Sequence, residues 1–328
     1  MRRIVMLDEG LRILEEGIVK AKHILIGHPP KTLFSGEDYM KFYKIVHLHE
    51  GCFEICLHVL NILHLVDSCV YTMCSQRQPY DYSGQLYERY KTALEESIVS
   101  VVLPSLNDKR EAYLLIELLQ MWANYKAMTK CLSGFFLYLD HHFVGRRNIP
   151  SLNDLAILCF RNLVFSKLYG SFREAAFSLI NQERNGKQVQ QDLLKNVLNF
   201  FMEIGDGKID CYEMFEQSML EDAASYYSQL ASELLCCMSY TDYIQKVVWL
   251  LIQEKERAGQ YLKQASLEKL LEIVKWKLMG ETAQVLIEKQ KAESRDTTTY
   301  QDLLSKYADM SLGEGSSMSL SKQWPKQQ

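Results

Sequence analysis

The side chains with the greatest capacity for chemistry are concentrated between positions 47 and 69. Cys52 and Cys56 are four residues apart, so on a helix their thiolates lie one turn apart, close enough to bind the same zinc ion. The stretch holds seven potential ligands of a soft metal ion: His47, His49, Cys52, Cys56, His58, His64 and Cys69. The spacing matches none of the usual zinc-site patterns. An apolar helix with one polar stripe is the alternative interpretation, the stripe being Glu50, Glu54, His58, Asn61 and His64.

Familiar catalytic motifs are missing from the sequence. It contains no phosphate-binding loop, no dinucleotide-binding glycine motif and no nucleophile elbow. His141 and His142 are adjacent, and on a helix their side chains diverge by about 100°, so they do not easily share one ligand. The sequence therefore predicts a non-catalytic protein with no catalytic residues, no metal ligands and no cofactor, and a zinc-binding helical interaction module stays an alternative.

Aromatic residues and methionine cluster at two further places. Tyr39, Met40 and Tyr43 lie within one helical turn, and Phe135–Tyr138 forms the second cluster. Tyrosine and methionine are enriched at protein contact surfaces, but they also fill the cores between helices. From these residues alone, a core and an interaction surface are both open interpretations.

Charge and composition exclude several classes of protein. The 37 basic and 41 acidic residues give a net charge of −4, and the pI is about 6.1, whereas nucleic-acid-binding proteins usually have a pI above about 9 or a dense basic stripe. Nine cysteines, an odd and sparse set, indicate a reducing compartment. The apolar stretch Ile55–Val66 is shorter than the roughly 20 residues of a membrane span, and the first residues lack the apolar core of a signal peptide. We expect neither a nucleic-acid nor a membrane partner.

The pattern of apolar residues predicts an all-α protein. Only 6 prolines and 16 glycines interrupt the chain, and apolar residues recur at helical spacing from Leu7 to Leu25 and from Gln85 to Leu103, where Pro104 is expected to end the helix. The stretch Asn107–Val144 predicts two helices or one bent helix. A loop is expected at Gly145–Pro150. Ser151 and Asp154 then form a helix-start signal.

Further helices are predicted along the rest of the chain, with short connections that favour antiparallel packing in elongated, tandem helical bundles. Their expected ranges are Leu152–Leu168, Ser171–Glu183, Val189–Ile204, Asp210–Met238, Thr241–Leu262 and Leu267–Gln290. From Ser294 onward the chain becomes polar and rich in serine, so residues 294–328 are expected to be a disordered tail.

The segment LYLDHHFVGRRNIPSLNDLAILCFRNLVF (Leu137–Phe165) closely resembles cullins, specifically the plant cullins of F-box ubiquitin ligases. Other segments on either side of it also resemble cullins, and all of them occur in the same order as in the family. They are DYMKFY (Asp38–Tyr43), VYTMCSQRQPYDYSGQLYERY (Val70–Tyr90) and LLKNVLNFFMEIGDGKID (Leu193–Asp210). It covers about residues 5 to 290 and weakens after Leu262. The resemblance implies a scaffold piece in ubiquitin-dependent protein degradation, located in the cytoplasm, the nucleus or both.

The resemblance also implies a domain organisation and a binding surface. Residues 1–145 would form a first cullin repeat, 146–262 a second repeat and 263–293 the start of a third. In cullins the second and fifth helices of the first repeat bind the Skp-family adaptor that carries the F-box protein. Carried over by motif, the adaptor-binding residues are Tyr39, Met40, Phe42, Tyr43, Tyr71, Tyr138 and His141. Most cullins have arginine at the position of His141, so one charge-assisted contact differs here.

Two departures from the family pattern bear on function. About 24 extra residues, near 45–69, split the second helix, and we interpret them as a translated intron or a gene-model artefact. The chain is also expected to lack the region that binds a RING subunit and accepts a ubiquitin-like modifier, so no RING partner is expected. The alternative to a working scaffold fragment is a competitor or degenerate product without ligase activity.

Overall fold

The computed structural model describes residues 5–27, 69–76, 79–205 and 210–293, together with Ser305. Within these ranges every extended regular element is a helix, which confirms the all-α prediction. The eleven described helices are α1 (Leu7–Lys22), α2 (69–75), α3 (83–107), α4 (Glu111–Phe135), α5 (137–147), α6 (152–184), α7 (Gln191–Ile204), α8 (Cys211–Cys237), α9 (Tyr240–Ala258), α10 (264–280) and α11 (Ala283–Glu293).

The chain divides into two compact units, Met1–Phe215 and Glu216–Gln328. The predicted repeat boundaries at 145, 262 and 293 stay a prediction. None of the described helices combines the length and the apolarity that crossing a bilayer requires.

Several described helices contain a five-residue π-helical turn, and one of these turns corrects the prediction for Pro104. Helix α3 does not end at this proline but continues to Asn107. Just before it, the N–H of Leu103 donates to the carbonyl of Ile98, five residues earlier, so the helix is locally widened. Pro104 then lies in the first turn of the next α-helical stretch, where its missing N–H costs little. The π-helical turns are Ile98–Val102, Asp140–Val144, Arg161–Phe165 and Trp276–Gly280.

The predicted separation of the helices Leu152–Leu168 and Ser171–Glu183 is also wrong, because α6 is continuous from 152 to 184. The predicted loop Gly145–Pro150 begins later than expected, since α5 continues through Arg147 and ends where Asn148 adopts the left-handed conformation (φ 50°, ψ 40°). The predicted helix start is confirmed: the hydroxyl of Ser151 accepts a hydrogen bond from the N–H of Asp154 at 3.1 Å.

Aromatic side chains form much of the core of the first unit. Trp122 and Tyr125 of α4 pack against Phe160 of α6 with ring centroids 4.8 and 4.9 Å apart, and Phe200 of α7 lies 5.4 Å from Trp122. Three buried tyrosines of this unit, Tyr87, Tyr90 and Tyr125, donate their hydroxyls to backbone carbonyls, as is usual for buried hydroxyls. The hydroxyl of Tyr125 donates to the carbonyl of Ala156 at 2.9 Å, which fixes α4 against the first turns of α6.

The second unit is organised around α9. This helix packs against α10 and α11, and the hydroxyl of its Tyr243 donates to the carbonyl of Leu278 at 2.7 Å. A buried polar network joins α9 to α8: the hydroxyl of Tyr227 donates to the carboxylate of Glu254 at 2.7 Å, and Glu254 pairs with Arg257. Glu254 is only 2% exposed. Removing the Glu254 carboxylate from water costs free energy, and the hydrogen bond from Tyr227 and the pairing with Arg257 offset that cost.

Candidate functional site

The candidate site is built on α2, which is held against α1 by close packing. Val70 and Met73 of α2 are fully buried. Gly10 of α1 faces Met73 so closely that a Cβ atom at position 10 would lie 2.7 Å from the Met73 methyl carbon. Gln76, just after α2, exchanges two hydrogen bonds with the backbone of Val5, at 2.9 and 3.1 Å. The beginning of the described chain therefore orients α2.

Helix α5 supplies the second half of the site and is fixed from its inner face. Phe136 and Leu139 are fully buried, and the Phe136 ring lies 5.3 Å from that of Tyr90 in α3. The carboxylate of Asp140 accepts a hydrogen bond from the N–H of Leu152 at 2.9 Å, at the start of α6. These contacts leave the opposite face of α5 directed away from the core.

Tyr71 and Tyr138 meet at the surface between α2 and α5. Their ring centroids are 4.8 Å apart with an interplanar angle of 80°, an edge-to-face arrangement. Tyr71 is 43% exposed and Tyr138 is half-buried, so each ring packs on the other and still presents a face to a partner. Two of the predicted adaptor-binding residues are thus brought together from distant parts of the sequence.

Of the other predicted site residues, the structure describes only His141. Tyr39, Met40, Phe42 and Tyr43 lie outside the described residues. His141 is exposed on α5, whereas its neighbour His142 places its ring 4.2 Å from that of Tyr138. The prediction missed His142, although a spacing of four residues from Tyr138 is the signal that places both on one helix face.

The electrostatics of the site combine neutral thiols with a basic helix end. Burial raises the pKa of the Cys74 thiol to about 11, opposed by a hydrogen bond from Ser83 and assisted by the charge of Asp81. The thiol is therefore protonated at neutral pH. Arg147, near the C-terminal end of α5, places its guanidinium 4.7 Å from the centre of the Phe143 ring. A cation at this end of a helix is favourable because the exposed carbonyls there carry partial negative charge.

The histidine- and cysteine-rich stretch 47–69 lies outside the described residues except for Cys69. Cys69 is buried, its Sγ lies 3.8 Å from the Met73 sulfur, and burial raises the pKa of its thiol. Among the described residues, no three His, Cys, Asp or Glu side chains come together as metal ligands. The zinc alternative and the interpretation of the insertion both stay predictions.

Comparison with known proteins agrees with this helical architecture. A family model described as the cullin alpha solenoid domain matches residues 67–325. The chain belongs to the cullin family. It is 41% identical over 290 residues to Cullin-1 of Oryza sativa subsp. japonica, and 36% identical over 295 residues to Putative cullin-like protein 2 of Arabidopsis thaliana. It is also 34% identical over 233 residues to Cullin-like protein 3 of the same plant.

The extent of these matches differs among the cullin relatives. The Cullin-1 match covers 88% of this chain but only 36% of Cullin-1. The corresponding shares are 89% and 70% for Putative cullin-like protein 2, and 71% and 89% for Cullin-like protein 3. The chain therefore spans about a third of the length of the rice cullin, while the two cullin-like proteins are matched over most of their length.

Proposed function

We propose that this cullin chain is a non-catalytic scaffold component of a ubiquitin ligase, and that its α2–α5 surface binds the Skp-family adaptor that carries an F-box protein. The observation that carries the proposal is the Tyr71–Tyr138 pair, with ring centroids 4.8 Å apart and Tyr71 43% exposed. His141 is exposed on the same helix as Tyr138. Family membership supports a partner of the adaptor class, and the exposed aromatic pair supports this surface as the place of contact.

The physical case for a contact surface rests on the cost of ordering side chains. Aromatic side chains have few rotatable bonds, so they provide a large contact area with little loss of rotamer entropy on binding. Here the pair is already packed edge to face, and Met73 of α2 and Phe136, directly before α5, are fully buried. Because the side chains of this surface are already ordered, binding of a partner causes little further loss of side-chain entropy.

A scaffold of this kind works by raising the effective concentration of the proteins it holds. On this proposal the chain holds the adaptor side of a ligase, in the cytoplasm, the nucleus or both. Produced alone, it would also compete for adaptor with complete ligases. Overexpression is then expected to lengthen the half-lives of ligase substrates, and unchanged half-lives would count against this competitor role.

The deciding experiment is a binding titration of the purified full chain against the F-box-carrying adaptor, beside a version that lacks residues 45–69. We expect the full chain to bind with a Kd below about 1 μM, roughly −8 kcal/mol. Binding by the shortened version alone would show that residues 45–69 block the surface and that the full chain is a degenerate product. No binding by either version would overturn the proposal.

A further inference from the structure

A groove in the second unit has no role in the proposed adaptor contact. It lies between α8 and α10 and has a volume of about 460 Å³. Its apolar floor consists of Leu220, Ala224, Ile273 and Trp276. Leu220, Ala224 and Ile273 are half-buried, whereas Trp276 is 53% exposed. An exposed indole at the edge of an apolar groove is typical of a binding surface.

The indole of Trp276 is held in place by the glycine one helical turn after it. A Cβ atom at position 280 would lie 2.7 Å from Trp276 Cδ2, so the ring packs directly over Gly280. Both residues belong to the π-helical turn at the end of α10. The ring is thus positioned by its own helix and still offers half of its surface.

The charges around the groove favour a basic occupant. Glu221 and Glu272 are exposed and line the groove. The one lysine of the lining, Lys277, pairs with Glu281 one turn later, so its charge is already compensated. Glu221 accepts a hydrogen bond from the Gln217 amide at 2.7 Å, which orients its carboxylate without neutralising it. The groove therefore combines an apolar floor with net negative charge.

We propose that the basic aromatic segment Lys322–Lys326 of the same chain binds in this groove. The segment, KQWPK, places one large apolar side chain, Trp324, between two lysines. Trp324 would pack on the floor beside Trp276, and Lys322 and Lys326 would lie near the two carboxylates. This segment lies outside the described residues, which end at Glu293 apart from Ser305.

The length of the connecting chain suits this contact. From Trp276 to Glu293 the helices rise at most about 26 Å, at 1.5 Å per residue. The 28 residues from 294 to 321 are enough to return over this distance, because a fully extended chain spans about 3.3 Å per residue. The contact is intramolecular, so the segment needs less intrinsic affinity to occupy the groove than a separate molecule would.

The test is fluorine NMR of the full chain labelled with 5-fluorotryptophan, with the Trp276 resonance assigned through Trp276→Phe. We expect Trp324→Ala, and separately Lys322→Glu with Lys326→Glu, to shift the Trp276 resonance while those of Trp122 and Trp249 stay in place. Reversing the groove charges with Glu221→Lys and Glu272→Lys should cause the same shift. Combining both charge reversals should restore the original resonance.

Matched controls separate this occupant from others. Lys306→Glu, in the same stretch of chain but outside the segment, should leave the Trp276 resonance unchanged, as should Glu256→Lys on α9. The proposal would be overturned if Trp324→Ala left the Trp276 resonance unchanged. A shift caused by Lys306→Glu would mean that an earlier segment of the chain occupies the groove. A shift that disappears on dilution would mean that a second copy of the chain occupies the groove, and either of these results would also overturn the proposal.

Discussion

Met73 of α2 occupies the space that a side chain at position 10 of α1 would need. Its methyl carbon lies 2.7 Å from the place of a Cβ atom on Gly10, and Met73 is fully buried. The contact joins α1 to the helix that carries Tyr71. A glycine in the first helix therefore controls how closely the site helix approaches the core.

Gly10→Ala should destabilise the first unit, because the methionine must move or adopt a strained rotamer. Overpacking of this kind costs about 1–3 kcal/mol, to be measured as the free energy of unfolding in urea. Gly170→Ala in α6 is the matched control, since nothing lies within 4 Å of its Cβ position. Alanine at that helical position is expected to stabilise by about 0.5–1 kcal/mol. Equal effects of the two substitutions would contradict the close contact.

Tyr71→Ala and Tyr138→Ala should each weaken adaptor binding, and their effects should not add. We expect each single substitution to cost about 1–2 kcal/mol. The double variant should fall short of their sum by about 0.5–1.5 kcal/mol, the worth of an aromatic pair. The measurement is a double-mutant cycle by titration calorimetry. Tyr113→Ala, which removes a 75% exposed ring from α4, is the control and should leave the affinity for the adaptor unchanged. If the effects of Tyr71→Ala and Tyr138→Ala were strictly additive, the two rings would not act as a unit.

The carboxylate of Glu203 should contribute a pH-dependent part of the stability. Burial alone would raise its pKa, but hydrogen bonds from Lys126 and Trp122, at 2.7 and 2.8 Å, hold the pKa below its usual value. Because the folded-state pKa is lowered, the contribution is present above the unfolded value of about 4.3 and is lost as the pH falls through the folded value.

Glu203→Gln tests this expectation, because the amide still accepts from the Trp122 N–H but no longer carries a charge for Lys126. The variant should be less stable than the parent near pH 7, and the difference should disappear in acid. Urea unfolding between pH 2.5 and 7 measures it. Glu174→Gln, at an exposed position of α6, is the control and should show no such trend. A Glu203→Gln effect that persists at the lowest pH would argue against a charge-based contribution.

Glu254 should be costly to remove, because its loss leaves the Arg257 guanidinium, on a side chain only 9% exposed, without this counter-charge. Glu254→Leu is expected to destabilise the protein by about 3–5 kcal/mol. Tyr227→Phe, which removes only the hydrogen bond to the carboxylate, should cost about 1–2 kcal/mol. Thermal unfolding measures both. Adding Arg257→Met to Glu254→Leu should recover most of the loss; no recovery would place the cost in packing rather than in the unpaired charge.

Thiol reactivity should separate the described cysteines by exposure. Cys236 and Cys237 are exposed at the end of α8. Cys159 is buried, and burial raises its pKa to about 11, so it is protonated and shielded at neutral pH. Iodoacetamide at pH 7.5, followed by peptide mass mapping, should modify Cys236 and Cys237 well before Cys159. Comparable rates would contradict the packing around Cys159.

Local signals account for what was predicted correctly about the fold. The helix start at Ser151 follows from a side chain that reaches an amide three residues away, which needs no information from the rest of the chain. The helix from Leu7 follows in the same way from apolar residues that recur every three or four positions. One error arose at Pro104, where a single residue suggested a break, and another at the interruption expected between Leu168 and Ser171. There, packing and the π-helical turn at 98–102 keep the helices continuous, because tertiary contacts outweigh weak local preferences.

The sequence by itself determined the helical class, the family and two of the residues that meet at the site. The contact of His142 with Tyr138, one turn apart on α5, could have been inferred from their spacing of four residues. The sequence did not show how α2 and α5 pack against the core, nor that Tyr71 and Tyr138, 67 positions apart, touch edge to face. Those relationships are set by Gly10, Met73, Phe136 and Asp140, which fix α2 and α5 against the core. The tertiary structure decided them because a contact between distant residues depends on how whole helices pack, and no local pattern encodes that distance.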